Sequence, residues 1–232
     1  MKRKHHQGIE AVFCSPQETF KRKIESDKTT TIFCGTDYFP IKGVHRIFRK
    51  KKTFKRNVQH IFVSLGGATA VKDSLALAQI LDKTLDPNIQ ITVVLGWTEK
   101  KTCKGLSRRV NVMAGLNDLA EVIYQSNLGI IAGGFVKFEC MCIGTPIAFV
   151  SLNRHQQILS KAYAEKGHGI YLGTLKGLIQ SPKHIQKLLT KFIASEQDRR
   201  AMFKRNRSLV DGRGINRIQK IIEQNIQLTK RK

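Results

Sequence analysis

Six short apolar runs, separated by segments with helical patterning, constrain the fold of this chain more than any other feature. The clearest runs are 60–64 and 89–95, and the segment 71–81 between them has apolar residues at helical spacing. A strand, a helix and a second strand in this order form a βαβ unit with parallel strands. Further strands are predicted at 109–113, 128–132, 147–150 and 169–172, and further helices at 118–125 and 156–166. Six strands alternating with helices predict an α/β fold with a doubly wound, Rossmann-like parallel sheet.

Two of these strands end in paired glycines, Gly66-Gly67 and Gly133-Gly134. In the Rossmann strand order 3-2-1-4-5-6, the first and fourth strands are neighbours at the topological switch point, so both turns would line one crevice. Bare backbone N–H groups at a helix N-terminus bind anions such as a diphosphate. The two turns together predict a nucleotide-diphosphate pocket. For either pair alone, a common tight turn without a ligand stays an open alternative.

One acidic residue, Glu139, lies inside a short apolar segment, 135–143. Gly144 and Pro146 end this segment by the usual C-terminal chemistry of helices. A lone carboxylate in a buried helix lowers stability by several kcal/mol unless it is paired or hydrogen-bonded. Glu139 is therefore a candidate ligand-binding residue beside the second glycine turn. Two alternatives stay open: a salt bridge to Lys137, and exposure to solvent because the helix is short.

Composition is that of a globular protein with one sizeable core. The chain has 232 residues, of which 41% are hydrophobic and 25% charged. No apolar stretch approaches the length of a membrane span, and no apolar segment follows the basic residues 2–4, so we expect a cytoplasmic protein. The five cysteines are odd in number and lack the paired spacing of a zinc site. Neither a metal nor a cofactor is predicted.

The net charge is unusual, with 41 Lys and Arg against 17 Asp and Glu, which gives +24. The densest basic run is 46–56, and such a run is compatible with peripheral contact with anionic surfaces. No helix-turn-helix, RNP-type aromatic motif or zinc knuckle accompanies it, so no specific nucleic acid is expected as a partner. A solvated basic surface without a dedicated partner is an equal alternative.

Several motifs occur together and in a fixed order. They are Ser64-Leu65-Gly66-Gly67, the segment 116–121, Ala132-Gly133-Gly134 followed by Glu139, Gly144-Thr145-Pro146, Tyr171-Leu172-Gly173 and the segment 210–214. As a set they resemble the C-terminal, UDP-binding half of the bacterial UDP-sugar hydrolase of pseudaminic acid biosynthesis. That enzyme is a GT-B-fold relative of the peptidoglycan N-acetylglucosaminyltransferase. The resemblance covers roughly residues 30–225.

The resemblance implies a set of contacts with UDP or a UDP-sugar. The implied backbone donors to the diphosphate are Gly66, Gly67, Gly133 and Gly134. Leu116 would lie at the uracil through its backbone, Glu139 would accept hydrogen bonds from the ribose hydroxyls, and Gln156 would face the sugar or a phosphate. The residues themselves had already indicated the glycines and Glu139, whereas Leu116 and Gln156 follow from the resemblance alone.

The chain departs from the family pattern at two places. Where the family usually has hydroxyl residues after the second glycine pair, this chain has Phe135, Val136 and Lys137, of which Lys137 could offer a charge to the diphosphate. The family's N-terminal glycine loop, with its catalytic His and Arg, has no counterpart in the sequence. The catalytic residues are therefore unknown, and the activity of this chain alone is left open.

The motifs that match the family and the missing N-terminal glycine loop together determine how we interpret the domain organisation and the function. Residues 1–56 are interpreted as the basic remnant of an N-terminal domain or a linker, and residues 57–232 as a nucleotide-sugar-binding domain that ends in helices. The leading function is UDP-sugar binding in a GT-B-type hydrolase or glycosyltransferase of bacterial surface-sugar (nonulosonate) biosynthesis. The alternatives are a non-catalytic partner of a separate N-terminal-half subunit in a split glycosyltransferase, and a basic RNA-associated protein.

Overall fold

The computed structural model describes residues 11–13, 31–67, 71–96 and 105–229. Two three-residue strands, β1 (Ala11–Phe13) and β2 (Thr31–Phe33), pair in parallel. A 3-10 turn (Thr36–Tyr38) and helix α1 (Gly43–Lys51) lead from them into the main sheet. Within the described ranges, no helix combines the length and the apolar character that crossing a bilayer requires.

The main sheet has six strands, and all of its neighbouring pairs are parallel. The strands are β3 (His60–Ser64), β4 (Gln90–Val94), β5 (Val110–Met113), β6 (Leu128–Ile131), β7 (Ile147–Ser151) and β8 (Ile170–Thr174). Their order across the sheet is β5-β4-β3-β6-β7-β8, which is the Rossmann order 3-2-1-4-5-6. The predicted doubly wound sheet is confirmed, and each predicted strand is found within about two residues of its expected ends.

Helices connect the strands and extend the chain beyond the sheet. They are α2 (Val71–Thr84), α3 (Ala120–Gln125), α4 (Val136–Ile143), α5 (Arg154–Glu165) and α6 (Leu175–Gln180), then α7 (Pro182–Ala194), α8 (Glu196–Leu209) and α9 (Gly214–Thr229). Helix α5 begins two residues before the predicted start because the Asn153 side chain accepts a hydrogen bond from the Gln156 N–H. Capping by an Asx side chain is a common start signal for helices.

Helices cover the sheet on both faces, and its strands are therefore continuous apolar runs. Every residue of β6 and β7 is buried, as parallel strands between two helix layers require. Gly129 in β6 has a packing role: a Cβ at this position would lie 2.5 Å from Cε1 of Phe62 in β3. In the pairing of β3 with β6, Ser64 lies opposite Ile131, so the carboxyl ends of the two strands lie side by side at the switch point.

Helix α1 packs against α3 and α4 and is tied to the rest of the fold by its basic residues. The Arg49 guanidinium donates to the carbonyl oxygens of Cys142, Val210 and Arg207 at 2.8, 3.0 and 2.9 Å. Just after α1, Lys52 donates from Nζ to two carbonyl oxygens near the end of α3. Part of the basic run 46–56 thus satisfies backbone carbonyls inside the protein, whereas Lys50, Lys51, Lys55 and Arg56 are exposed.

Candidate functional site

A cavity of about 1070 Å³ opens at the carboxyl ends of β3 and β6. Its walls come from the turns after these two strands, the first turn of α2, helix α4, the start of α5 and helix α6. Open α/β sheets bind ligands in the crevice at their topological switch point, and this cavity occupies that position. Both predicted glycine turns contribute to its lining, as the strand order required.

The first turn borders the cavity with Gly66 and Gly67, which are both exposed. Gly66 has a φ of +95°, a left-handed conformation that favours glycine. Gly67 contacts the end of β4 closely, because a Cβ on Gly96 would lie 2.5 Å from Gly67 O. The turn therefore needs glycine at Gly66 for its backbone path, and its approach to the end of β4 leaves no room for a side chain at Gly96.

In the second turn, the two glycines have different environments. Gly133 is buried, and a Cβ there would lie 2.8 Å from Ser160 Oγ and 3.2 Å from Gln156 O, both on α5. Gly134 borders the cavity, and a Cβ there would meet nothing within 4 Å. Gly133 lets α5 approach the turn, whereas Gly134 presents bare backbone to the cavity.

Lys137 lies behind the second turn and is not one of the residues that line the cavity. Its side chain is 1% exposed, and Nζ donates to Gly133 O and Gly134 O at 3.0 Å each. Burial lowers the pKa of Lys137 to about 7. That Lys137 offers a charge to a diphosphate stays a prediction, and the structure places its ammonium behind the turn with the protein interior around it. Lys137 also does not form the ion pair with Glu139 that was one alternative.

Glu139 reaches the cavity from the first turn of α4, with a side chain that is 28% exposed. Its Oε1 lies 3.7 Å from Nε2 of His45, a fully buried residue of α1. The His45 ring is fixed at its other nitrogen, because Nδ1 lies 3.2 Å from Lys42 O. Nε2 has no hydrogen-bond partner among the described residues. His45 Nε2 thus lies close to the carboxylate without a hydrogen bond to it, and no local sequence signal points to this long-range contact.

Leu116 is partly buried in the loop between β5 and α3 and is not among the residues that line the cavity. The loop is held by Lys42, whose Nζ donates to Asn117 O at 2.7 Å. Lys42 and His45 therefore connect the start of α1 both to the Leu116 loop and to Glu139. The structure brings Glu139 to the cavity and leaves Leu116 outside its lining.

Gln156 lines the cavity from the first turn of α5. Its Oε1 accepts a hydrogen bond from the Leu152 N–H at 2.9 Å, so the side-chain amide is held in one orientation. The amino end is then the donor available to a ligand. Asn153, Asp73 and Lys176 also line the cavity, although sequence reasoning did not identify them. Asn153 could have been found as the helix cap, whereas Asp73 and Lys176 carry no distinguishing pattern.

These groups favour an anionic ligand that carries hydroxyl groups. Phe135, the N-cap residue of α4, gives the helix no side-chain cap, so the first N–H groups of α4 remain available to an anion. The Glu139 carboxylate can accept hydrogen bonds from hydroxyl groups. In the described part of the chain, no three His, Cys, Asp or Glu residues cluster as metal ligands would.

Comparison with known proteins gives one curated relative. The chain is 29% identical over 203 residues to the spore coat polysaccharide biosynthesis protein SpsG of Bacillus subtilis (strain 168). The match covers 84% of this chain and 58% of SpsG, so the chain spans little more than half the length of that relative. No family model matches the chain.

Solved structures with the same fold include several enzymes of sugar chemistry. The Acinetobacter baumannii MurG structure has a TM-score of 0.60 at 15% identity and is matched over 85% of this chain and 61% of its own. The spinosyn forosaminyltransferase SpnP has a TM-score of 0.59 at 11% identity, over 92% and 55%. The Neisseria meningitidis UDP-GlcNAc 2-epimerase, solved with UDP-GlcNAc, has a TM-score of 0.52 at 12% identity, over 74% and 46%. The parallel sheet and its helices match GT-B glycosyltransferase domains.

Proposed function

We propose that this chain binds a UDP-sugar and acts in a GT-B-type hydrolase or glycosyltransferase of bacterial surface-sugar biosynthesis. The observation that carries the proposal is the cavity at the switch point, where the Gly66 and Gly134 backbones and the Glu139 carboxylate border one space. Its volume of about 1070 Å³ lies near the upper end of the usual range for small-molecule sites. The similarity to SpsG, named for polysaccharide biosynthesis, supports the same assignment.

Each polar group that lines the cavity can be assigned to one part of a UDP-sugar. The diphosphate would lie between the two glycine turns, where the N–H groups at the N-terminus of α4 favour negative charge. Glu139 would accept hydrogen bonds from the ribose hydroxyls, and the amino end of Gln156 would donate to the sugar or to a phosphate oxygen. Lys176, at the start of α6, also lines the cavity and adds a positive charge. The chain would thus bind and orient the nucleotide part of its substrate.

Recognition of the base and of the sugar is proposed on other grounds than the residues that line the cavity. Recognition of uracil is assigned to the backbone around Leu116, in the loop that Lys42 holds. The class of sugar, a nonulosonate precursor, is proposed from the resemblance to the hydrolase of pseudaminic acid biosynthesis.

Calorimetric titration of the purified chain with UDP and ADP tests the nucleotide assignment. We expect UDP to bind more tightly than ADP, because the pocket is proposed to recognise a pyrimidine base. UMP as a third ligand measures what the second phosphate contributes at the glycine turns. Equal binding of UDP and ADP, or no binding of either at millimolar concentration, would contradict the proposed function.

A second candidate function is a non-catalytic subunit that shares its substrate with a separate protein half. The rim of the cavity favours it, because Phe135 and Ile179 line the cavity with large apolar side chains that are 57% and 42% exposed. A separate protein half that closes the cavity would cover both of these side chains. Release of UDP from a panel of UDP-sugars separates the two candidates. Several turnovers per second by the chain alone would support the enzyme and exclude the non-catalytic subunit.

A further inference from the structure

Lys137 is a buried cation whose charge has no acidic partner. Nζ lies 3.0 Å from both Gly133 O and Gly134 O. The rings of Phe138 and Tyr163 cover it, with centroids 4.5 and 5.2 Å from Nζ. Among the described residues, no carboxylate lies within ion-pair distance of Nζ. Burial of an ammonium without an acidic partner costs several kcal/mol of desolvation, against which the two hydrogen bonds to the carbonyl groups act.

The two carbonyl groups that Lys137 holds determine where two backbone N–H groups point. A trans peptide unit is planar, and the N–H of one residue is antiparallel to the C=O of the residue before it. The N–H groups of Gly134 and Phe135 therefore point away from Nζ, and both residues line the cavity. Neither N–H donates a hydrogen bond to another residue of the described ranges. Lys137 thus fixes two adjacent, available donors.

We propose that Lys137 is a positioning residue for the diphosphate of the ligand. It holds the Gly133 and Gly134 carbonyls on the interior side of the turn, and it thereby aims the Gly134 and Phe135 N–H groups into the cavity. Its ammonium also places a positive charge beside the N-terminus of α4, where an anion is stabilised. The identity of the ligand rests on the proposed function, whereas the alignment of the two donors does not.

Protonation of Lys137 is linked to binding of the anion. Because burial lowers its pKa to about 7, part of the free protein carries a neutral Lys137 near neutral pH. A bound anion favours the charged form, so the charged form must bind the anion more tightly. UDP affinity therefore falls as the pH rises above 7. The phosphate groups of UDP do not cause this fall, because their last ionisation, near pH 6, is complete in this range.

Other titratable groups face Lys137 or lie on the elements around it. Tyr163 comes from α5, and Cys140 and Glu139 share its own helix. Burial raises the pKa of both Tyr163 and Cys140, so these two groups stay neutral at pH 7 to 8.5. Helix α1 adds His45 beside Glu139. Burial also lowers the pKa of Lys52, just after α1, to about 8. The pH dependence is therefore measured also in the His45→Gln and Lys52→Met variants, and the part that persists in both belongs to Lys137.

The test compares the wild type with Lys137→Met, using UDP, inorganic pyrophosphate and uridine as probes. We expect the substitution to weaken UDP and pyrophosphate about tenfold at pH 7 and to leave uridine unchanged, because only the diphosphate contacts the aligned donors. In Lys137→Met, we also expect UDP affinity to stay constant between pH 7 and 8.5. Lys161→Met is the matched control, because it removes one charge and one cation–π contact, with Tyr171, from an exposed position of α5. Its affinities should equal those of the wild type.

The possible outcomes separate this proposal from the proposed function. If the wild type prefers UDP and Lys137→Met binds it equally well, the role of Lys137 is overturned and the proposed function stands. Loss of uridine affinity together with UDP would indicate general damage to the site and also overturns that role. Pyrophosphate binding that depends on Lys137, without a preference for UDP over ADP, supports the lysine and contradicts the nucleotide assignment. If Lys137→Met does not fold, an unchanged UDP affinity of His45→Gln between pH 7 and 8.5 overturns the proposal.

Discussion

At the scale of single residues, the cavity depends on side chains that come from distant parts of the chain. Glu139 lies on α4, and its buried neighbour His45 lies on α1 with its Nε2 3.7 Å from the carboxylate. A carboxylate that is 28% exposed at a cavity wall can still accept hydrogen bonds from a ligand. The two roles of Glu139, ligand binding and support of α1, make different predictions.

Glu139→Gln separates these roles. If the carboxylate accepts hydrogen bonds from ribose hydroxyls, losing its charge removes about 1.5–3 kcal/mol, and the UDP dissociation constant rises roughly 10- to 100-fold. The melting temperature without ligand should stay nearly unchanged. Glu121→Gln, at an exposed position of α3, is the matched control and should alter neither quantity. Unchanged UDP binding with a lower melting temperature would make Glu139 a structural partner of His45.

The two glycines of the second turn provide a contrast within one motif. Gly133→Ala would place a Cβ 2.8 Å from Ser160 Oγ, and such overpacking costs about 1–3 kcal/mol. We expect its melting temperature to fall by about 2–12 °C. Gly134→Ala meets no atom within 4 Å, so it should keep the melting temperature and weaken UDP binding only. Equal effects of the two substitutions on stability would contradict the different environments assigned to them.

At the scale of elements, α1 and α8 hold the sheet domain together by bonds to backbone groups. Arg49 of α1 donates to three carbonyl oxygens in and beyond α4 and α8. At the other edge of the sheet, Asn206 of α8 accepts from Nδ1 of His168, just before β8, and donates to its carbonyl oxygen. Neither contact is visible in the sequence, because each joins segments that only the completed sheet brings together.

Arg49→Ala tests whether α1 is part of the folded domain. Hydrogen bonds from a charged group contribute about 1.5–3 kcal/mol, and three carbonyl groups would lose their donor. We expect a loss of about 3 kcal/mol in the free energy of unfolding, measured by urea denaturation. Lys50→Ala, on the exposed face of the same helix, should stay within about 0.5 kcal/mol of the wild type. A small effect of Arg49→Ala would instead show that these hydrogen bonds do not tie α1 to the sheet domain.

Stability against acid should depend on the contact between β8 and α8. Burial lowers the pKa of His168 below its ordinary value of 6.5 in the folded state. The folded state then binds fewer protons than the unfolded state, so this contribution is complete above pH 6.5 and is lost as the pH falls below it. We expect the decrease in melting temperature between pH 7.5 and 5 to be smaller in His168→Gln than in the wild type. His155→Gln, at an exposed position, should keep the wild-type decrease, and equal decreases in all three proteins would contradict the assignment.

At the scale of the whole molecule, much of the fold could be predicted from the sequence and only part of the site. Strands such as 60–64 were predictable because a parallel strand buried on both faces must be a short apolar run. The shared crevice of Gly66 and Gly134 followed from the strand order alone. The direction of the Lys137 side chain did not, because a helical lysine can face solvent or pack under its own N-terminal turn, where here the rings of Phe138 and Tyr163 cover it.

The basic composition also has a different meaning in the folded molecule. Several cationic side chains donate to carbonyl oxygens within the protein, among them Arg49, Lys52, Lys137, Arg199 and Arg207. These residues contribute to the net charge of +24, yet their charged groups serve the fold. Contact with an anionic surface stays a prediction for the exposed residues of the 46–56 run.

The central claim is that UDP occupies the cavity at the switch point, and a crystal structure of the chain grown with UDP tests it most directly. We expect density for the diphosphate between the Gly66 and Gly134 turns, with phosphate oxygens at hydrogen-bond distance from the Gly134 and Phe135 N–H groups. The ribose hydroxyls should lie about 2.5–3.0 Å from the Glu139 carboxylate. Density for UDP at any other place, with this cavity empty, would contradict the claim.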